Sequence, residues 1–288
     1  MKKVGYGKAY GAVSIVNAIS TGRGAALSVD LYTEASVRLD SGGGVTLETA
    51  EKDMDSSLVE AVVRQVSEAL DVHLGGCAVV TSSTIPVAVG LKSSSSAAVA
   101  TALALLDALE AEMDDLEILR HVAQASIASG TSITGALDDA AACMLGGVVV
   151  TDNRRSMVLK RGVMQPMEVV IAVPSMRTYT RNFRAELLSP IRGLVEEAHR
   201  MALEGEYWKA MTLNGILHAA ALGLSTEPLV KALRAGAVAA GVSGTGPAVA
   251  AVTEASRAGA VAEALSGAGI RILRCRTNSS HAVKGARI

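Results

Sequence analysis

Four consecutive serines, Ser93 to Ser96, sit at the junction of a glycine-bearing loop and an alanine-rich run: PVAVGLKSSSSAA, Pro86 to Ala98, leads straight into VATALALLDALEAEM. Small residues let backbone N–H groups approach a ligand closely. A helix that begins at the serines adds its unpaired amides and the positive end of its dipole. Polyphosphate is the guest that such a cradle suits. The hydroxyls of Ser93, Ser94, Ser95 and Ser96 can add hydrogen bonds, and one could meet a Mg²⁺ carried by a nucleotide, an ion that prefers oxygen ligands. An ordinary serine-capped helix behind a flexible loop would read the same way.

Other segments carry chemistry of their own. GALDDAAA holds Asp138 and Asp139. Helical neighbours point about 100° apart, so at most one of the two is expected to act at a site. The pair is either a solvated acidic start to a helix or includes a carboxylate that accepts a proton from an attacking hydroxyl. GVSGTGPAVAAV, Gly241 to Val252, is either a tight helix-to-strand connection or backbone approaching a ligand with Ser243 and Thr245 as added donors, Pro247 excluding further helix. Lys8 is a lone cation, solvated or placed to offset charge. PSMRTYTRNFRAELL supplies Arg177, Arg181 and Arg184, whose guanidinium groups are either surface charge or bidentate partners for a substrate carboxylate.

These residues need elements to position them. SVDLYTEASVRL and VTLET, separated by a glycine turn, read as a β-hairpin. Ser57 with Glu60 opens a helix carrying Leu58, Val62, Val66 and Leu70 at helical spacing. CAVVTSS is a short buried strand that delivers the chain to the serine loop. Beyond it Val99, Leu103, Leu106, Leu109 and Met113 form one apolar stripe, so the cradle sits on a long, well-anchored helix. Asp114 with Glu117 caps a further helix, and Thr131 to Gly135 form a loop before the helix that bears the aspartates. The polar run DNRRS around Asn153 and Arg154 marks a turn and the expected division into domains 1–154 and 155–288. The second half alternates strands and helices in the manner of an α+β sheet with helices on one face.

Composition narrows the classes. At 288 residues two cores are the prior. Half the residues are hydrophobic but only 2% are aromatic, so Ala, Val, Leu, Ile and Met must fill the interior by close helix-to-sheet packing. Lys plus Arg number 27 against 28 Asp plus Glu, a balance that disfavours nucleic acid and anionic membranes as partners. Cys77, Cys143 and Cys275 are scattered, which argues against a zinc site or a disulfide framework and for a reducing cytoplasm. The N-terminal stretch is too broken for a signal peptide, and no apolar run is long enough for a membrane span.

Taken together, the three glycine- and aspartate-bearing segments resemble those of one family. PVAVGLKSSSSAA resembles the P-x-x-x-G-L-x-S-S-A-A phosphate loop of the GHMP kinases, which include galactokinase, homoserine kinase, mevalonate kinase and phosphomevalonate kinase. TGALDDAAA resembles their central aspartate segment, and GVSGTGPAVAAV their C-terminal glycine motif. Order and spacing fit over nearly the whole chain. Within the family, GLKSSS, TGALDD and the short length are most similar to the archaeal-type shikimate kinases. The resemblance implies an α+β, two-domain GHMP kinase fold, with a ribosomal-protein-like N-terminal domain and a ferredoxin-like C-terminal domain. It implies ATP with Mg²⁺ and a small-molecule acceptor, shikimate, in the cytoplasm.

Residue by residue, the resemblance places Pro86, Gly90, Leu91, Lys92, Ser93, Ser94, Ser95, Ser96, Ala97, Gly244 and Gly246 around the nucleotide, with Ser95 or Ser96 meeting Mg²⁺. Asp138 and Lys8 are the implied catalytic pair, and Arg177, Arg181 and Thr245 the acceptor site. The chain departs from the family pattern in having Lys92 at a position usually held by glycine. Ala123 to Gly135 lacks the acidic residue with which some members bind metal, and no full Walker motif is present. Another small-molecule kinase of the family, acting on homoserine or a mevalonate-pathway alcohol, is the nearest alternative. A catalytically silent metabolite sensor would be expected to lose the serine loop or the aspartate, and both are present.

Overall fold

The computed structural model describes residues 4–40, 42–49, 56–175 and 185–285. Strands β1 (Val4–Val16) and β2 (Arg23–Asp40) run antiparallel. β2 is long enough to serve two partners. Its first half pairs with β5 (Val148–Asp152), and its second half with β4 (Gly76–Ser83). Beyond β4 lies β3 (Gly44–Thr49), paired parallel to it; β6 (Met157–Gly162) extends β5, and β11 (Val283–Lys284) extends β1.

The expected hairpin between β2 and β3 is therefore not formed. β3, α1 (Ser57–Ala69) and β4 make a parallel crossover unit, and β4 takes the place beside β2 that the hairpin would have filled. The local alternation was that of strands, but pairing partners are chosen by what α1 can cover.

Helix α2 (Ser93–Leu109) lies directly on β1, almost every side chain buried. Gly5 and Gly7 explain how: a Cβ at either position would collide with the α2 backbone at Ala100, Ala104 and Ala108. Alanine on one side and glycine on the other bring helix and strand close enough to exclude water without aromatic residues. α3 (Asp115–Ala128), capped by Asp114 and Glu117 as its sequence predicts, and α4 (Leu137–Leu145) complete this layer around a core that includes Val62, Leu105, Leu119 and Met144.

A second, wholly antiparallel sheet has the order β10-β7-β9-β8, made of β7 (Glu168–Pro174), β8 (Ala239–Val242), β9 (Val249–Thr253) and β10 (Ile270–Arg276). On one face Val170, Ala240 and Ala251 meet α7 (Glu227–Arg234) and α8 (Ala258–Leu265). The other face is not bare, as helices on one face alone would leave it. Val169, Ile171 and Ala250 share a core with α5 (Arg192–Glu204), α6 (Tyr207–Ala221) and with Val13, Ile15 and Leu27 of the first sheet. The expected division at 154/155 falls inside the β5–β6 hairpin of the first sheet, and the chain returns to that sheet at β11.

Candidate active site

After β4 the chain turns through Ala88, Gly90 and Lys92, all with positive φ (59°, 91° and 63°), and α2 begins at Ser93. The Ser96 N–H donates to the Lys92 carbonyl at 2.9 Å, which leaves the amides of Ser93, Ser94 and Ser95 ahead of the intrahelical ladder. The loop is locked to the C-terminal glycine motif. Ser243 Oγ donates to the Gly90 carbonyl at 2.7 Å, the Gly244 N–H donates to Ser14 Oγ at 3.0 Å, and Asn17 Nδ2 donates to the Gly244 carbonyl at 2.7 Å. A Cβ at Gly90 would overlap the Ser243 carbonyl, so only glycine permits this contact.

The two loops form one wall of an open cleft of about 820 Å³. Gly90, Lys92, Ser93, Ser94 and Ser95 line it with Gly244 and Thr245, together with Asn17, the loop Thr131–Thr134 and the first turn of α4. Asp138 and Asp139 both belong to that lining, where the 100° rule led us to expect one. The helix meets the cleft end-on, with Ala136 also exposed to it, so a first-turn separation around the axis removes neither carboxylate.

Their surroundings differ. Asp139 Oδ1 pairs with Lys92 Nζ at 2.9 Å. Asp138 is 4% exposed and its Oδ1 accepts a hydrogen bond from Asn153 Nδ2 at 2.8 Å. Burial, with the charge of Asp139 second, pushes the Asp138 carboxyl up to about 7, against the opposing pull of Lys92 and Asn153. A carboxyl poised there can exchange protons with a hydroxyl at neutral pH.

Several implied site residues lie elsewhere. Lys8 is not at the cleft: it stands on the face of β1 opposite α2, its ammonium 3.9 Å from the centroid of Tyr32. Strand alternation turned Gly7 and Ala9 toward the helix and Lys8 away from it. The buried cation beside the aspartates is Lys92. Ser96 is fully buried and donates its hydroxyl to the Ala9 carbonyl at 3.2 Å, so Ser95 is the serine of the two that faces the cleft. Leu91 and Ala97 serve the hydrophobic cores. Pro86 lines a separate groove with Val173 and Ile270, and Gly246 packs against Val242 and Leu224 behind the loop. Arg177, Arg181 and Arg184 lie outside the described residues. Asn17 and the hydroxyls of Thr131, Ser132 and Thr134 were not foreseen as site residues; the hydroxyl-rich run TSIT just before the aspartate segment was the available signal.

Comparison with known proteins bears on this geometry. The family model for the N-terminal domain of GHMP kinases matches residues 57–147, and that for their C-terminal domain residues 194–271. A curated shikimate kinase of Methanothrix thermoacetophila is 43% identical over 98% of this chain and 96% of its own length. The chain belongs to the GHMP kinase family. A second curated shikimate kinase, of Methanococcoides burtonii, is 43% identical over 88% of each chain. The solved homoserine kinase of Cytophaga hutchinsonii superposes on this GHMP kinase with a TM-score of 0.77 over 99% of the chain and 98% of its own, at 19% identity, a likeness of fold alone.

Proposed function

We propose that the chain transfers the γ-phosphoryl group of ATP to a hydroxyl of shikimate, giving shikimate 3-phosphate. The observation that carries this reading is the meeting in one cleft of the Ser93–Ser95 helix end, the Lys92 ammonium and the buried Asp138 carboxylate, in a chain 43% identical to a curated shikimate kinase over 98% of its length. Amides and hydroxyls at the start of α2 grip the triphosphate, with Gly244 and Thr245 beside them in the cleft lining. Lys92, steadied by Asp139, offsets negative charge on the oxygens of the transferred group; Asp138 orients the attacking hydroxyl and takes its proton. Catalysis is then largely positioning and charge neutralisation.

Among the described residues no group of three His, Cys, Asp or Glu could hold a metal. The donor set instead fits Mg²⁺ riding on the nucleotide phosphates, with a hydroxyl of Ser93, Ser94 or Ser95 as the oxygen the loop can offer. Bound in that way, Mg²⁺ supplies neutralisation of phosphate charge. Lys92 is the one cation among the described residues that line the cleft, and it already faces Asp139. On the bidentate match of guanidinium to carboxylate, we assign the acceptor carboxylate to Arg177 and Arg181.

A coupled assay of the purified protein with MgATP against shikimate, homoserine, mevalonate and pantoate tests the reading. Shikimate should exceed every other acceptor in kcat/KM by about 10² or more, the margin expected where buried polar groups are matched to substrate hydroxyls. Preference for any of the other three would overturn it.

A further inference from the structure

Asn153, which the sequence marks only as part of a polar turn, is 8% exposed and sits directly behind the reacting carboxylate. Every polar atom of its side chain is engaged. Nδ2 donates to Asp138 Oδ1 at 2.8 Å and lies 3.3 Å from Thr134 Oγ1, while Oδ1 accepts from Thr151 Oγ1 at 2.6 Å. Its backbone N–H donates to the Gly22 carbonyl at 2.9 Å, fixing the turn itself. Behind it the Thr151 carbonyl is bonded to His199 Nε2 of α5 at 3.1 Å, so the chain of contacts is anchored in the helical layer shared by the two sheets. On the other side of the carboxylate lies Gly24, where a Cβ would overlap the Asp138 carboxyl.

We infer that Asn153 is a positioning residue for the proposed phosphoryl transfer: its amide, locked by Thr151, holds the Asp138 carboxylate in one rotation and in its ionised form, ready for the acceptor hydroxyl. This rests on the reading of Asp138 given above. This amide orientation is the one that suits an ionised Asp138, because the reverse flip would set Oδ1 against a carboxylate oxygen. An N–H donated to a carboxylate favours the charged form, and in a buried site that donation is felt strongly. The other ionisable groups around Asp138 are Asp139 and Cys143 on α4 and Lys92 from the serine loop. Arg23 and Asp152, next to Thr151, pair with each other at 3.4 Å, and His199 faces the far side.

The test uses Asn153→Leu, which keeps the volume without the donor, and Thr151→Val, which leaves Asn153 in place but removes the hydroxyl that locks it. Asn153→Leu should lower kcat at pH 7 about tenfold or more, leave KM for ATP within about twofold, and move the acid limb of the kcat–pH profile up by about one unit. Activity should recover at higher pH. Thr151→Val should move the same limb in the same direction by less, and it carries the test if Asn153→Leu does not fold. An unmoved acid limb in the folded variants, with Asp138→Asn inactive, would overturn the inference, as would a loss equal at every pH with KM for ATP raised in parallel. Asp138→Asn at wild-type turnover would instead remove Asp138 from the reaction, and the role of Asn153 with it.

Discussion

At the scale of single residues, the proposed chemistry concentrates on one carboxyl that burial makes hard to ionise. Asp138 holds its proton up to about pH 7 in the folded chain, whereas an unfolded aspartate releases it near 3.9. Between those values the native state binds the proton that the unfolded state has lost, so this group lowers stability progressively as pH rises through the window. Asp138→Asn removes both the function and the cost. It should reduce kcat by about 10² or more while raising Tm above wild type at pH 8, a gap that closes by pH 4; a variant with near-normal turnover, or one without the pH-dependent gain in Tm, contradicts the assignment. The aspartate was legible from its motif. Lys92 was legible only as a departure from the family glycine, and nothing local said that it, rather than Lys8, reaches the aspartates. That depends on which face of β1 the helix covers.

Among elements, the decisive contact is between two glycine loops some 150 residues apart, Gly90 against Ser243. Each was readable alone as a flexible turn, and each motif gave its own half of the site; their contact is a tertiary fact. Gly90 has φ 91° and no room for a Cβ. Gly90→Ala should destabilise the fold by at least about 1–3 kcal/mol and raise KM for ATP, since it must push the phosphate loop off the glycine motif. Gly42→Ala, with nothing within 4 Å and no positive φ, is the control and should stay within about 0.5 kcal/mol in denaturant titration. Equal effects of the two would show that the loops are not coupled. The Asp114–Glu117 cap of α3 and the long apolar helix α2 were equally plain in the sequence, although α2 ends at Leu109, short of Met113, and has no side-chain cap; the partner of β3 was not, because alternation marks a strand without naming its neighbour.

For the molecule as a whole, buried histidines tie stability to pH at the junction of the two sheets. His218 of α6 is 1% exposed, and burial lowers it to about 4; His199 of α5 is lowered for the same reason. As pH falls from about 6.5 to 4 the unfolded chain takes up protons that the native state refuses, so these groups withdraw stability over that window, opposite in sign to Asp138. The loss of denaturant midpoint between pH 7 and pH 4.5 should be smaller in His218→Gln than in wild type; an identical loss would clear His218 of the effect. The five histidines had no spacing that set these two apart. Residue types and their order determined the family, the serine-headed helix, an aspartate that lines the cleft and a core built from small side chains, since these follow from local propensity and motif chemistry. Which serine hydroxyl faces the cleft, which lysine meets the aspartates, how β3 pairs and what stands behind Asp138 were decided only by tertiary packing. A side chain's direction depends on the partner its element is buried against, and that partner comes from a distant part of the chain.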